Sequence, residues 1–332
     1  MTNHVNTCHI CNTEDTHKTF IVREMMFGTR EEFEYFQCRK CGCLQITESP
    51  TDLSRFYPSN YYSYNRSLTI RKETATLKPL IKARVNCALF GKYYKFSKIA
   101  SRFVDLPPEF YLAAPWLKKC QIKSFDANFL DVGCGSTSWW LNILKSIGFD
   151  NLIGVDPYIE NDSQNNGIKI TKNHLENISD KYDLITLHHS FEHIPNQLET
   201  FKSIRSALKP NGFCLMRIPL VSSDVWEKYG VNWIELDAPR HLYLHSLRSI
   251  ELLARNSRFE LVDFICDSTE FEFWGSEQYQ RNIPLNAENS FSIDPFNSEF
   301  TYREMGEFKK MAEEANKTNK GGRGCLFFKA ID

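Results

Sequence analysis

Phe129-Leu-Asp-Val-Gly-Cys-Gly-Ser136 is a short apolar run that ends in an acid and two glycines one residue apart. Phe129 to Val132 read as a buried parallel strand, and Gly133 and Gly135 let the backbone turn tightly into a helix whose apolar face is Trp139, Trp140, Ile143 and Leu144. A ligand can approach bare backbone at such a turn. The charge of Asp131 at the strand end suits a cationic ligand better than a phosphate. The same Gly-x-Gly opens dinucleotide-binding turns, but their fingerprint wants a third glycine where this chain has Ser138. The strands and helices beyond the turn therefore decide the fold.

Downstream, Asn151-Leu-Ile-Gly-Val-Asp156 is a second strand ending in an acid, about twenty residues beyond Gly135, a spacing that lets a carboxylate accept from both hydroxyls of a ribose bound at the glycine turn. Gly167 to Ile170 form a short third strand, and Tyr182 to Leu187 a fourth that runs into His188-His-Ser-Phe-Glu-His193. A helix over Leu198 to Leu208 leads to Lys209-Pro-Asn-Gly212, a turn with glycine available for positive φ, and Phe213 to Ile218 make a fifth strand. Ser246 caps a helix over Leu247 to Asn256, before a sixth strand over Phe259 to Ile265. Beyond Phe271 the chain reads as polar and irregular, with a helix over Glu304 to Ala315 and a last strand over Gly324 to Lys329. Upstream, Tyr111 to Cys120 form a leading helix. Alternating strands and helices predict a doubly wound parallel sheet with ligands at the strands' carboxyl ends.

The N-terminus carries different chemistry. Of the eleven cysteines, Cys8, Cys11, Cys38, Cys41 and Cys43 crowd together while the other six are scattered, which argues for a reducing compartment and against a disulfide framework. Cys8-His-Ile-Cys11 and Cys38-Arg-Lys-Cys41 are two knuckles that together complete a tetrahedron of thiolates around a structural zinc ion. Cys43 offers an alternative to Cys41, and His9 a competitor. Thr19 to Val22 and Phe33 to Phe36 alternate like ribbon strands, with Gly28 for the turn. Metal ligation would supply much of the stability of so small a module, on the order of 10 kcal/mol.

Arg55-Phe-Tyr-Pro-Ser-Asn-Tyr-Tyr-Ser-Tyr64 reads as an extended aromatic segment, suited to sugars and nucleotides or to gluing the ribbon onto the main domain. From Leu77 to Phe103 apolar residues recur at helical spacing among Lys78, Lys82, Arg84, Lys92, Lys95, Lys98 and Arg102, with a break at Gly91. That basic segment is either a solvated helical linker or a peripheral contact with an anionic membrane. Pro107-Pro108 closes it. A net charge of −1 over 332 residues gives no general nucleic-acid footprint. No run of about eighteen apolar residues occurs and Met1-Thr-Asn-His is polar, so the expected location is cytoplasmic, with the inner face of the membrane open through the basic helices.

Asp131-Val-Gly-Cys-Gly135 resembles the first motif of the class I methyltransferases that use S-adenosylmethionine, whose form is hydrophobic-Asp-x-Gly-x-Gly. Asp156-Pro157, Tyr182-Asp-Leu-Ile, Glu192-His193 and Leu208-Lys-Pro-Asn-Gly212 are similar to the later motifs of its small-molecule members. The resemblance implies a mainly parallel seven-stranded Rossmann-like sheet, with an antiparallel seventh strand beside the sixth. It also implies cofactor contacts at Asp131, Gly133, Cys134, Gly135, Asp156 and His188, and an adenine border at Asn173-His174-Leu175. Members that methylate nucleobase amines carry Asn/Asp-Pro-Pro-Tyr after the fourth strand, where this chain has Leu187-His-His-Ser190. Pro239-Arg-His241, the tyrosine-rich segment and Met26-Phe-Gly-Thr-Arg-Glu-Glu-Phe33 resemble methyltransferases of bacterial surface-polysaccharide clusters. The sugar C-methyltransferases share the layout and place a Glu-His pair in the active site, but their long C-terminal domain is missing. Domain boundaries fall at 1–50 for the ribbon, 51–108 for the linker and 109–332 for the methyltransferase, with an insertion at about 271–321 over the substrate mouth.

Methyl transfer from a sulfonium is an in-line displacement that needs alignment and a dry pocket, and a hydroxyl acceptor must also lose a proton. Histidine suits that task. His193, with Glu192 to orient it or hold the acceptor, and His241 are the leading candidates; His188 borders the cofactor and His189 reads as buried and hydrogen-bonded. The expected activity is O-methylation of a sugar or glycan intermediate, nucleotide- or lipid-linked, in envelope polysaccharide synthesis. Sugar C-methylation, methylation of structured RNA and a non-catalytic scaffold are the alternatives. The sequence leaves oligomeric state open.

Overall fold

A computed structural model describes residues 5–58 and 77–331. Around the first knuckle, β1 (Asn6–Thr7) and β2 (Glu14–Asp15) pair antiparallel. β3 (Lys18–Arg23), β4 (Glu32–Gln37) and β5 (Leu44–Ile46) then form an antiparallel ribbon. Gly28 turns it at φ +77°, and a Cβ there would lie 2.7 Å from Pro284 Cγ, so the turn packs against the C-terminal insertion. α1 (Lys78–Phe90) ends at left-handed Gly91, followed by α2 (Tyr94–Ala100). α3 (Pro108–Lys119) starts three residues earlier than expected, because Pro108 at the first helical position has no amide proton to leave unpaired.

The main sheet is built from β6 (Phe129–Val132), β7 (Leu152–Val155), β8 (Ser163–Asn165), β9 (Ile168–Thr171), β10 (Tyr182–His188) and β11 (Leu208–Pro219). The helices α4 (Trp139–Ser146), α5 (Gln197–Ala207), α6 (Asp224–Tyr229) and α7 (Leu247–Asn256) fall among and after these strands. β12 (Tyr243–Leu244) precedes α7; β13 (Phe259–Cys266), α8 (Glu270–Gln280), α9 (Tyr302–Lys317) and β14 (Arg323–Ala330) complete the chain. The sheet order is β13-β14-β11-β10-β6-β7-β9-β8. β9, β7, β6, β10 and β11 are mutually parallel, and β14 runs antiparallel between β11 and β13, the inserted seventh strand of the expected fold. The sheet has one edge strand more than expected. β8 is three exposed polar residues folded back on β9 through Asn166-Gly167, both at positive φ.

Two apolar cores cover the sheet. One packs α1, α3 and α4 on one face; the other is continuous from the opposite face into the ribbon. The ribbon is not an appendage, since β12 pairs with β5 and completes a four-stranded sheet β12-β5-β4-β3. Two local expectations are corrected. Residues from Phe271 are not irregular at first, because α8 buries Phe273, Trp274, Gly275, Ser276, Gln278 and Tyr279, and burial all round erases the helical period. In Lys209-Pro-Asn-Gly212 it is Asn211 that takes positive φ; Gly212 serves close approach, a Cβ there falling 3.0 Å from Lys209 O and 3.2 Å from Tyr182 O.

Candidate active site

A cavity of about 1560 Å³ opens along the carboxyl ends of β6, β7 and β10. Of the residues proposed for the cofactor, Asp131, Gly133, Cys134, Gly135, Asp156 and His188 all line it, as do Asn173, His174 and Leu175. Gly133 and Gly135 both stand at φ +67°, and a Cβ on Gly133 would meet Ser190 Cβ at 2.5 Å, so only glycine fits. Asp156 fastens the turn: its Oδ2 accepts from the Gly135 amide and its Oδ1 from that of Tyr158, both at 2.8 Å. Each oxygen keeps a second lone pair for a ribose hydroxyl. Asp131 is buried and accepts from Ser138 Oγ (2.5 Å) and Thr186 Oγ1 (2.7 Å), while Ser138 Oγ also caps α4 by accepting from the Leu141 amide at 3.0 Å. Burial lifts the Asp131 carboxyl to about 6 despite those two bonds.

His188 closes this end. It stacks on Trp116 (centroids 5.7 Å apart, rings inclined 24°) and meets Trp139 at 4.9 Å and Trp140 at 5.6 Å. Among the described residues neither of its ring nitrogens has a hydrogen-bond partner, and burial pushes its pKa well down, so the ring is neutral and can hydrogen-bond a polar ligand. Gly turns, a buried carboxylate, an aligned Asp156 and an orphaned imidazole fit S-adenosylmethionine. The Cys134 thiol is lifted by burial and set so close to β7 that a Cβ on Gly154 would lie 2.6 Å from its sulfur.

Glu192, His193 and His241 come together on the β10 side. His193 Nδ1 lies 2.9 Å from Arg240 O and His241 Nδ1 2.7 Å from Glu235 O. Carbonyls only accept, so both Nδ1 atoms carry protons and both Nε2 atoms carry lone pairs. The rings meet edge to face at 4.7 Å. Burial holds His193 near 3, so it stays neutral, and drives the Glu192 carboxyl well above its usual range. Among the described residues neither Glu192 oxygen has a hydrogen-bond partner; its Oε1 lies 3.5 Å from His189 Nδ1 and 3.8 Å from His241 Nε2. The expectation that Glu192 orients His193 is thus replaced by the Arg240 carbonyl. His189 likewise departs from its expected hydrogen-bonded state, since its Nε2 is buried without a partner among the described residues. Tyr57 Oη reaches His193 Nδ1 at 3.1 Å, which brings the start of the tyrosine-rich stretch to the cavity; residues 59–64 of that stretch lie outside the described residues.

Sequence reasoning missed the charged frame behind these groups. Arg240 is fully buried, with Nε 3.0 Å from each Asp237 oxygen, Nη2 2.9 Å from Glu24 Oε1 and Nη1 3.3 Å from Phe56 O. Glu24 in turn accepts from the Phe27 and Thr29 amides at 2.9 and 3.0 Å, ordering the ribbon turn. Across the cavity Arg217 pairs with Asp267, and Arg323 with Glu272 at 2.8 Å. Glu235, Asp237 and Arg240 do sit in a conspicuously polar-aromatic run, the one signal available.

At the N-terminus the sulfurs of Cys8 and Cys41 lie 3.5 Å apart, as do those of Cys11 and Cys38, and all four fall within 4.8 Å of one another. Tetrahedral zinc with Zn–S near 2.3 Å needs sulfurs roughly 3.8 Å apart, so the set fits a closed zinc site. Gln45 Nε2 donates to Cys8 Sγ at 3.1 Å. Cys43 stands outside the group, buried with its sulfur 3.6 Å from Leu44 O, and His9 Nδ1 is 3.1 Å from Tyr243 Oη.

Residues 102–263 match a family described as a methyltransferase domain. This region is an S-adenosylmethionine-dependent methyltransferase domain. No curated protein matches the chain significantly. Among solved structures, the chain is similar to a protein assigned as a sarcosine dimethylglycine methyltransferase of Galdieria sulphuraria, with 15% identity, coverage of 71% of this chain and 88% of that one, and a TM-score of 0.43. A phosphoethanolamine N-methyltransferase of Haemonchus contortus gives 17% identity over 67% of this chain and 52% of that one, with a TM-score of 0.40. A cyclopropane synthase of Mycobacterium tuberculosis gives 16% over 68% and 85%, also at 0.40. None of these likenesses bears on the methyl acceptor of this methyltransferase.

Proposed function

We propose that this methyltransferase O-methylates a sugar or glycan intermediate of cell-envelope polysaccharide synthesis. The observation that carries the reading is the pair of imidazoles, His193 and His241, fixed by backbone carbonyls with Nε2 lone pairs, that of His241 lying 3.8 Å from the Glu192 carboxyl, which has no hydrogen-bond partner among the described residues. S-adenosylmethionine supplies the electrophilic methyl group. The chain's own residues do the rest: Asp131, the glycine turn, Asp156 and His188 hold and align the donor, and Glu192 hydrogen-bonds the acceptor. His193 Nε2 takes the hydroxyl proton, with His241 beside it. Asp237, held ionised by Arg240 and 3.9 Å from His241 Nε2, offers the negative charge that an imidazolium formed here needs.

Aromatic walls at Tyr57, Phe271, Trp274 and Tyr279 suit the apolar faces of sugar rings. Arg217 and Arg323, the only lysine or arginine side chains lining the cavity among the described residues, are both paired with acids, which disfavours RNA. The role in polysaccharide synthesis is supported by the resemblance of Pro239-Arg-His241 and the ribbon. The four N-terminal cysteines hold a structural zinc ion in this proposal. The acceptor is found by comparing nucleotide sugars and surface glycan, by mass spectrometry, with and without the protein: a product heavier by one methylene is expected. On that acceptor H193A and H241A should each lower kcat by about 10²–10⁴ with S-adenosylmethionine affinity unchanged. Full turnover by both variants would overturn the base assignment.

A further inference from the structure

α2 and its flanks leave five large apolar side chains in solvent: Tyr93, Tyr94, Phe96, Ile99 and Phe103 are between 49% and 70% exposed. A contiguous apolar display of this size on a stretch eleven residues long calls for a partner. α1 behaves otherwise. It buries Ile81 and Val85 in the second core, and two of its three cations are answered within the fold, Lys82 by Asp150 at 3.5 Å and Arg84 by Asp105 at 3.4 Å. Lys92, Lys95, Lys98 and Arg102, interleaved with the exposed rings, are themselves exposed and form no ion pair with any described residue. No acid occurs between Lys78 and Val104.

The charge pattern selects the occupant. A two-fold pairing with a second copy through this face would set its four cations against the same four, with no acid to answer them. A purely apolar protein partner would leave the cations without a role. An anionic bilayer answers both halves of the pattern: phosphates meet the lysines, while Phe96, Ile99 and Phe103 enter the acyl boundary and the tyrosine hydroxyls stay at headgroup level. We propose that the α2 face rests on an anionic phospholipid surface, holding the enzyme at the membrane as a peripheral protein. Among the described residues no helix is long and apolar enough to cross it.

The test is flotation of the full chain with vesicles of one part phosphatidylglycerol to two parts phosphatidylcholine, against pure phosphatidylcholine. At least about tenfold more protein should float with the anionic vesicles, and the excess should disappear in the triple variant K92S/K95S/K98S and, separately, in Y94S/F96S. Neither variant touches the cavity, so thermal stability and S-adenosylmethionine binding should match wild type and certify the fold. Absence of flotation, or flotation undiminished in both variants, overturns the proposal. So does a wild-type dimer that Y94S/F96S dissociates, or a short RNA bound through the same lysines while vesicles are ignored.

Discussion

Replacing Asp131 by asparagine should stabilise the protein near neutral pH and weaken its grip on S-adenosylmethionine. The folded state raises this carboxyl from 3.8 to about 6, because burial outweighs the hydrogen bonds from Ser138 and Thr186. The difference, about two pKa units at 1.36 kcal/mol each, is a cost of about 3 kcal/mol for carrying the charge inside. Folded protein binds this proton more tightly than unfolded chain does. Its contribution is therefore fully present below about pH 4, falls as pH rises through about 6, and is absent by about 7.5. Asparagine never ionises, and its amide can accept from one hydroxyl and donate to the other once that hydroxyl rotates. Allowing for a weaker bond, the expected gain is roughly 1–3 kcal/mol at about pH 7.5, shrinking towards zero at about pH 4. Urea unfolding of both proteins at the two pH values measures it, and any pH effect on the cysteine site cancels in the difference. Calorimetry should show donor affinity reduced by roughly 10–100-fold, since a buried carboxylate facing a cation is worth up to a few kcal/mol at an effective dielectric near 20. A gain equal at both pH values, a loss at neutral pH, or undiminished affinity would refute the reasoning.

Metal removal should separate the two halves of the site. Tyr35 Oη donates to His241 O at 2.8 Å and Ser246 Oγ to Cys41 O at 2.5 Å, so stripping the four-cysteine site, or Cys38→Ser, should abolish turnover while calorimetry still shows donor binding. Loss of both or of neither would count against it. R240M leaves Glu24 and Asp237 buried without their counter-ion, and urea unfolding should show a loss of about 3–5 kcal/mol; a change below about 1 kcal/mol would mean the cluster is solvated in solution.

What the sequence made legible is what is local. The turn after β6 could be read because its requirements fall on adjacent residues: an apolar strand, glycine at Gly133 where Ser190 leaves no room for a Cβ, and Ser138 as cap. The Cys8, Cys11, Cys38 and Cys41 spacing is similarly local. It could not choose between Cys41 and Cys43, because the choice is made by Gly42 at φ +77°, which turns the chain so that Cys43 enters the core near His245. Non-local arrangements left no periodic trace. Arg240 meets Glu24 across 216 residues of sequence, and α8 is buried on several faces. In the proposed function these long-range contacts also give the site its division of labour. Donor-side groups hang on β6, β7 and the end of β10, whereas the peptide that orients His193 and bears His241 is stitched by Tyr35, Glu24 and β12 to the ribbon. A module that resembles a detachable metal knuckle thereby lines the cavity through Met26 and Phe27, so, on the proposed assignment of the acceptor to this side, a change of acceptor in a related chain should be accompanied by changes in the ribbon turn Glu24–Glu31 before changes in the glycine turn.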